Sequence, residues 1–140
     1  MTIAYRLLGP KDAGVLSRVA EEVFDEPVRP DRLRAYLADP TTLMLVALDG
    51  DLVVGQCAAV LHRHPDKPTE LYVDELGVSP AWQRQGIGGE LMRRILDEGR
   101  ARGCEEAWLG TEPDNVAANA LYARLNGSPV ETFLLYHYDL

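Results

Sequence analysis

With 140 residues, 46% of them apolar, the chain has the length of one domain, residues 1–140, able to bury a core without disulfide or metal staples. Its formal net charge of −8, and the lack of a long basic tract among 14 Lys and Arg, argue against nucleic acid as a partner, because that affinity is built from cations set against phosphates. An acidic surface would instead draw in cationic small molecules or basic peptides, or serve solubility alone.

The opening MTIAYRLLGP lacks the charged n-region and long apolar run of a signal peptide, and no segment approaches the ~20 apolar residues of a membrane span. A cytoplasmic protein with no membrane partner is expected. Cys57 and Cys104 lie far apart, have no metal or redox spacing, and are expected as free thiols.

Residues 2–8 read as a first strand that stops at Gly9-Pro10, and residues 11–24 as a helix with Val15, Leu16, Val19, Ala20, Val23 and Phe24 on its stripe. A shorter helix falls between Pro30 and Pro40, with Leu33, Tyr36 and Leu37 on one side. Residues 42–48 and 52–62 follow as strands joined by a hairpin turn at Asp49-Gly50-Asp51, and a polar loop covers 63–69. In residues 70–78, ELYVDELGV, the apolar alternation changes phase between Val73 and Leu76. One extra residue near Asp74-Glu75 would produce that slip, so a β-bulge is expected there, a device that re-aims side chains and often borders an active site. Ile87, Leu91, Met92, Ile95 and Leu96 then form the inward stripe of a helix ending near Gly103. Residues 105–111 read as a strand, 115–126 as a helix and 131–140 as a closing strand. The order β-α-α-β-β-β-α-β-α-β implies an α/β fold, or α+β by stricter usage, with a mixed, mostly antiparallel central sheet and helices on both faces.

Gly86, Gly88 and Gly89 stand within four positions at the mouth of a helix. Neither GxGxxG with a distant acid nor GxxxxGK[ST] is present; what stands there is Gln83-Arg84-Gln85-Gly86-Ile87-Gly88-Gly89, a Q-x-x-G-x-G pattern. The main-chain N–H groups of residues 85–89 could converge on a pyrophosphate, with Gln83 and Arg84 adding side-chain donors, or the glycines could serve a tight turn alone. Asn115, Asn119, Tyr122 and Asn126 are spaced four, three and four apart, on one face of the last helix. Asn115 is also a favoured N-cap after Pro113-Asp114. Of the three histidines, His62 and His64 flank Arg63 in a loop with no Cys, Asp or Glu in view to complete a ligand set, so no metal is expected. Trp82 and Trp108 read as packing residues.

Taken together, ELYVDELGVSP, the Q-x-x-G-x-G run and the NVAANALYARLNG helix resemble the GNAT superfamily of acetyl-CoA-dependent N-acetyltransferases, in the right order over nearly the whole chain. The resemblance implies the GNAT fold and transfer of acetyl from acetyl-CoA to a primary amine, with coenzyme A as product and a homodimer as the family's habit. It implies Glu75 as base or proton relay, with Asp74 and Glu112 as rivals. The Leu76 N–H would stabilise the oxyanion, and Leu76, Gly77 and Val78 would lie along the pantetheine arm. Tyr122 would donate a proton to the leaving thiolate, and Asn115 and Asn119 would lie near the cofactor. Asn126-Gly127 departs from the family's Gly directly after Leu, and Asn tolerates the left-handed conformation that the helix end needs.

Within the superfamily the chain looks most like small aminoglycoside 3-N-acetyltransferases, with Asp74, Glu75, Glu112 and Asp139 as contributors to an acidic acceptor site. That likeness makes an aminoglycoside or similar polyamine the expected acceptor. Another small amine or a peptide amine stands as the alternative, and a non-catalytic acetyl-CoA-binding module as the reading from another class.

Overall fold

Five strands pair in the order in which the chain makes them: β1 (Ile3–Leu7), β2 (Thr42–Asp49), β3 (Leu52–His62), β4 (Glu70–Val78) and β5 (Glu106–Trp108). The first three junctions are antiparallel and β4–β5 is parallel, which gives the mixed, mostly antiparallel sheet read from the sequence. The described residues also form three α-helices, α1 (Pro30–Ala38), α2 (Ile87–Ala101) and α3 (Val116–Arg124). The computed structural model describes residues 2–128 and 131–140, and falls into two units, Met1–Gly110, which holds the sheet, and Thr111–Leu140.

Strand β3 is the middle of the sheet, and its residues 53–59 are all buried, so it shows no apolar alternation. Helices cover both of its faces. On one, Met44, Val46, Val53 and Ala58 pack with Leu16, Val23, Leu33 and Leu37. On the other, α2 lays Leu91 and Ile95 so close to the sheet that a methyl group on Gly55 would sit 3.2 Å from the Leu91 Cδ1. Cys57 lies in this sandwich with no exposed surface, and burial pushes its thiol up to about 12. Both cysteines are free, as expected.

The helix expected over residues 11–24 does not form. Only a 3₁₀ turn, Ala13–Ser17, is present, and residues 18–20 run beside the start of β3, where the Val53 N–H donates to Arg18 O and the Ala20 N–H to Val53 O, each at 2.9 Å. The local chemistry favours this outcome. Asp12, the natural cap, turns its carboxylate back to the Gly9 N–H and the Arg6 guanidinium, Gly14 weakens the helix interior, and three valines resist it. The apolar stripe is still used, since Leu16 and Val23 join the core.

Helix α1 follows its sequence signals: Pro30 opens it, Asp31 sits in the first turn, and Leu33 and Leu37 are buried. The β2–β3 hairpin turns over Gly50 and Asp51, with Asp49 opposite Leu52. β5 is shorter than residues 105–111; its Trp108 stacks on the opposing Tyr72, ring centroids 4.3 Å apart.

The strand expected over residues 131–140 is absent; they carry no helix or strand, and Phe133, Leu134, Leu135 and Tyr136 are exposed. Alternation makes a segment able to pair, and a ladder forms only where a partner edge is met. No helix among the described residues is long and apolar enough to cross a membrane.

Candidate active site

Along β4 the pairing with β3 slips by one residue: Val73 lies opposite Ala59 and Glu75 opposite Ala58, which leaves Asp74 as the extra residue of a β-bulge. The slip changes the face on which the later side chains stand. Leu71 and Val73 are buried, with Leu71 against Gly99 of α2. In an unbroken strand Glu75 would share their face. The bulge turns it over, so that Glu75 borders a cavity of about 490 Å³ on the α1 side. Leu16, Phe24, Tyr36 and Met44 wall this cavity, and Asp25, Glu26, Arg29 and Arg32 supply its charges.

Burial raises the Glu75 carboxyl above the usual carboxylate range, and the negative charges of Asp25 and Asp74 push it the same way. A carboxylate with raised proton affinity is a better acceptor for the proton of an ammonium group. Tyr36 donates its hydroxyl to Leu43 O at 2.7 Å. Burial first, then the charges of Asp74, Cys57 and Glu75, hold it above the ordinary phenol range, so it stays neutral. Asp74 itself is exposed and is not part of the cavity wall.

β5 covers β4 only from Glu70 to Tyr72, so from Val73 to Val78 the outer edge of β4 is open among the described residues of the first unit. Leu76, Gly77 and Val78 lie on this stretch, opposite Cys57, Gln56 and Gly55. Gly77 admits no side chain, because a methyl group there would meet Val23 O at 2.4 Å. The same carbonyl accepts a bond of 3.3 Å from the Gln56 amide.

Beyond β4 a 3₁₀ turn, Pro80–Trp82, leads into the glycine run, and the Trp82 indole N–H fastens it to Asp49 at 3.1 Å. Gly86 is the cap residue of α2 at φ +82°, a conformation that favours glycine, and among the described residues no side chain caps this helix start. The first-turn N–H groups of Ile87, Gly88 and Gly89 therefore keep their donor capacity, and with the helix dipole they suit an anion. Ile87 and Gly89 are buried, while Gly88 is half-buried. The Gln83 amide is committed elsewhere, to Val78 O at 2.9 Å, and the Gln85 amide faces Ala81 O at 3.5 Å. Arg84, at φ +63°, is exposed and makes no ion pair among the described residues.

In the second unit, Asn115 caps α3: its Oδ1 accepts from the Ala118 N–H at 3.2 Å. Asn119 reaches back to Asn115 O at 2.8 Å and Glu112 O at 3.1 Å, so both asparagines build the helix start. Tyr122 is half-buried, and its carbonyl accepts the Gly127 N–H at 2.8 Å while the Ala123 carbonyl accepts the Asn126 N–H at 3.1 Å. With Asn126 at φ +66° this is a Schellman ending. Asn126 thus closes the helix rather than extending the face of Asn115, Asn119 and Tyr122. Asp139 faces His137 across 3.5 Å.

The sequence did not single out Asp25 and Glu26, although Phe24-Asp25-Glu26-Pro27 carries the acids in plain view, and it placed Tyr36 on one side of a helix without linking it to this cavity. Contrary to the expectation from the sequence, an acidic residue does stand beside two of the histidines. Glu70 completes a cluster with His62 and His64, because the β3–β4 register sets it opposite His62.

The family model described as Acetyltransferase (GNAT) family matches residues 14–127. A mycothiol acetyltransferase of Beutenbergia cavernae is 40% identical over 99 residues, 70% of this chain and 32% of that protein. The N-alpha-acetyltransferase RimI of Mycobacterium tuberculosis is 38% identical over 101 residues, 71% of this chain and 61% of that one. The chain thus spans less than two thirds of either relative. Among solved structures, an aminoglycoside acetyltransferase from an uncultured soil metagenomic sample superposes with a TM-score of 0.78 at 25% identity, covering 100% of this chain and 98% of the other.

Proposed function

The chain belongs to the acetyltransferase (GNAT) family, and from that membership we propose that it moves an acetyl group from acetyl-CoA to a primary amine by direct attack in a ternary complex. Acetyl-CoA supplies the activated acetyl thioester. The uncapped start of α2, residues 85–89, with Arg84 alongside, suits its pyrophosphate. The open edge of β4 at Leu76, Gly77 and Val78 suits the pantetheine amides, and the Leu76 N–H suits the developing oxyanion. Glu75 takes the proton of the acceptor ammonium, directly or through a water. Tyr122 returns a proton to the leaving sulfur, and Asn115 and Asn119 fix the helix that carries it. The reading treats residues 1–140 as one acetyltransferase domain, supported by a family match that runs past Gly110 into the second unit. A cytoplasmic homodimer completes it.

The observation that carries the proposal is the bulge that turns Glu75 into a charged cavity beside Asp25. Three carboxylates around an aromatic wall favour an acceptor with several ammonium groups, an aminoglycoside or similar polyamine, and the likeness to the soil aminoglycoside acetyltransferase supports the same class. A peptide α-amine is the second reading. Arg29 and Arg32 share the cavity and can pair with carboxylates, and RimI is a relative. Mass spectrometry of an amine panel with acetyl-CoA tests the proposal, using wild type and Tyr122→Phe. Acetylated polyamine from wild type, and far less from the variant, is the expected result. Acetylated peptide alone selects the second reading, and no product from any amine overturns the catalytic reading.

A further inference from the structure

We propose that His62, His64 and Glu70 form a binding site for one divalent transition-metal ion, with zinc the best match to the donor set. His62 ends β3 and Glu70 begins β4, and the antiparallel register sets them directly opposite one another. The loop between them brings His64 back over the same spot, its ring centroid 4.3 Å from that of His62. The Nε2 of His64 and the Oε1 of Glu70 already share a hydrogen bond. One ligand atom from each of the three residues lies within 4.8 Å of the other two. A tetrahedral ion with ligands at about 2.0–2.2 Å holds its donors roughly 3.3–3.6 Å apart, so small side-chain rotations close the site.

Two imidazoles and a carboxylate are the donors of zinc, nickel and copper sites, whereas magnesium and calcium require oxygen throughout. His64 and Glu70 are mostly buried, at 14% and 21% side-chain exposure, which holds two ligands in place. His62 is exposed, which gives an ion access to the site from solvent. Glu106 of β5 is the next residue in the row, paired with Glu70, and adds negative charge for a cation.

The site is separate from the proposed acetyl-transfer residues. Glu70 and Asp74 are four residues apart, about 13 Å along a strand, so the ion takes no part in the chemistry at Glu75. It clips the end of β3, the loop and the start of β4 together, and binding to the folded chain alone stabilises that chain.

Calorimetric titration of the full chain with zinc chloride, in a non-coordinating buffer, tests the proposal. The expected result is one zinc per chain, bound at least 10-fold more weakly by His64→Ala and by Glu70→Gln, with His137→Ala unchanged. Cobalt(II) added to wild type gives a second readout that needs no variant: visible d–d bands without the near-ultraviolet band of a thiolate ligand. Zinc should also raise the wild-type melting temperature by several degrees and leave that of a His62→Ala/His64→Ala double variant unmoved. Absence of saturable binding, undiminished binding in Glu70→Gln, or a thiolate band pointing to Cys104 would each overturn the assignment.

Discussion

Glu75 sits under two opposed requirements, because the burial and neighbouring charge that raise its proton affinity also make its ionised form costly to the fold. Its proton affinity is higher in the folded chain than in the unfolded one. Through the window from the ordinary glutamate value up to the raised value, the folded chain therefore binds more protons, and stability falls as pH rises. Glu75→Gln cannot ionise, so its melting temperature should exceed that of wild type at neutral pH, and the difference should vanish below the ordinary carboxylate range. Turnover should fall by about 10²-fold or more and climb with pH, since only amine that is already neutral can react. Parallel melting curves and pH–rate profiles check both, and coincident profiles for the two proteins would remove Glu75 as the base. This residue was legible in the sequence, because the apolar phase break between Val73 and Leu76 betrays the bulge. Asp25 and Glu26 were not, since a loop without a periodic trace brings them to Glu75, and Tyr36 was legible only as part of the helix side that it shares with Leu33 and Leu37.

Hairpins were the most legible elements. β2, β3 and β4 follow one another with short connections, and their extents match the alternating or continuous apolar runs. Residues 11–24 and 131–140 misled because periodicity reports which side chains can be buried, whereas the backbone partner is decided elsewhere: residues 18–20 found the start of β3. Two substitutions test the elements that frame the site. Gly77→Ala puts a methyl group against Val23 O, a main-chain atom that cannot swing aside, and should cost about 1–3 kcal/mol in chemical denaturation. Wild-type stability in that variant would mean that the Val23 segment yields freely. Gly88→Val places a branched side chain in the uncapped first turn of α2, and should weaken acetyl-CoA in calorimetry while the circular dichroism spectrum holds. Undiminished affinity would move the pyrophosphate away from this helix.

For the molecule as a whole, the net charge of −8 includes the three carboxylates of the cavity. The Michaelis constant for a polyamine should rise as added salt shortens the screening length from about 8 Å at physiological strength to about 3 Å at 1 M, while that of a monoamine stays nearly level. A flat response from the polyamine would place its binding away from this acidic field. At this scale the sequence was readable to the extent that motifs fix order, while the size and charge of the cavity beside Glu75 depend on side chains from four separate segments. Cys57 supplies one more consequence. It sits in the central strand with no exposed surface and a thiol pushed up to about 12, so both access and thiolate are denied to a labelling reagent while the sheet is intact. Cys104, half-buried three residues past the end of α2, also has its thiol raised by burial but keeps surface open to a reagent. In a time course with a thiol reagent, Cys104 should modify first, and the rate at Cys57 should track the opening of the sheet, falling whenever a ligand tightens the fold. The native chain thus carries its own clock for global unfolding, which calls for no engineered probe and can be read by intact mass.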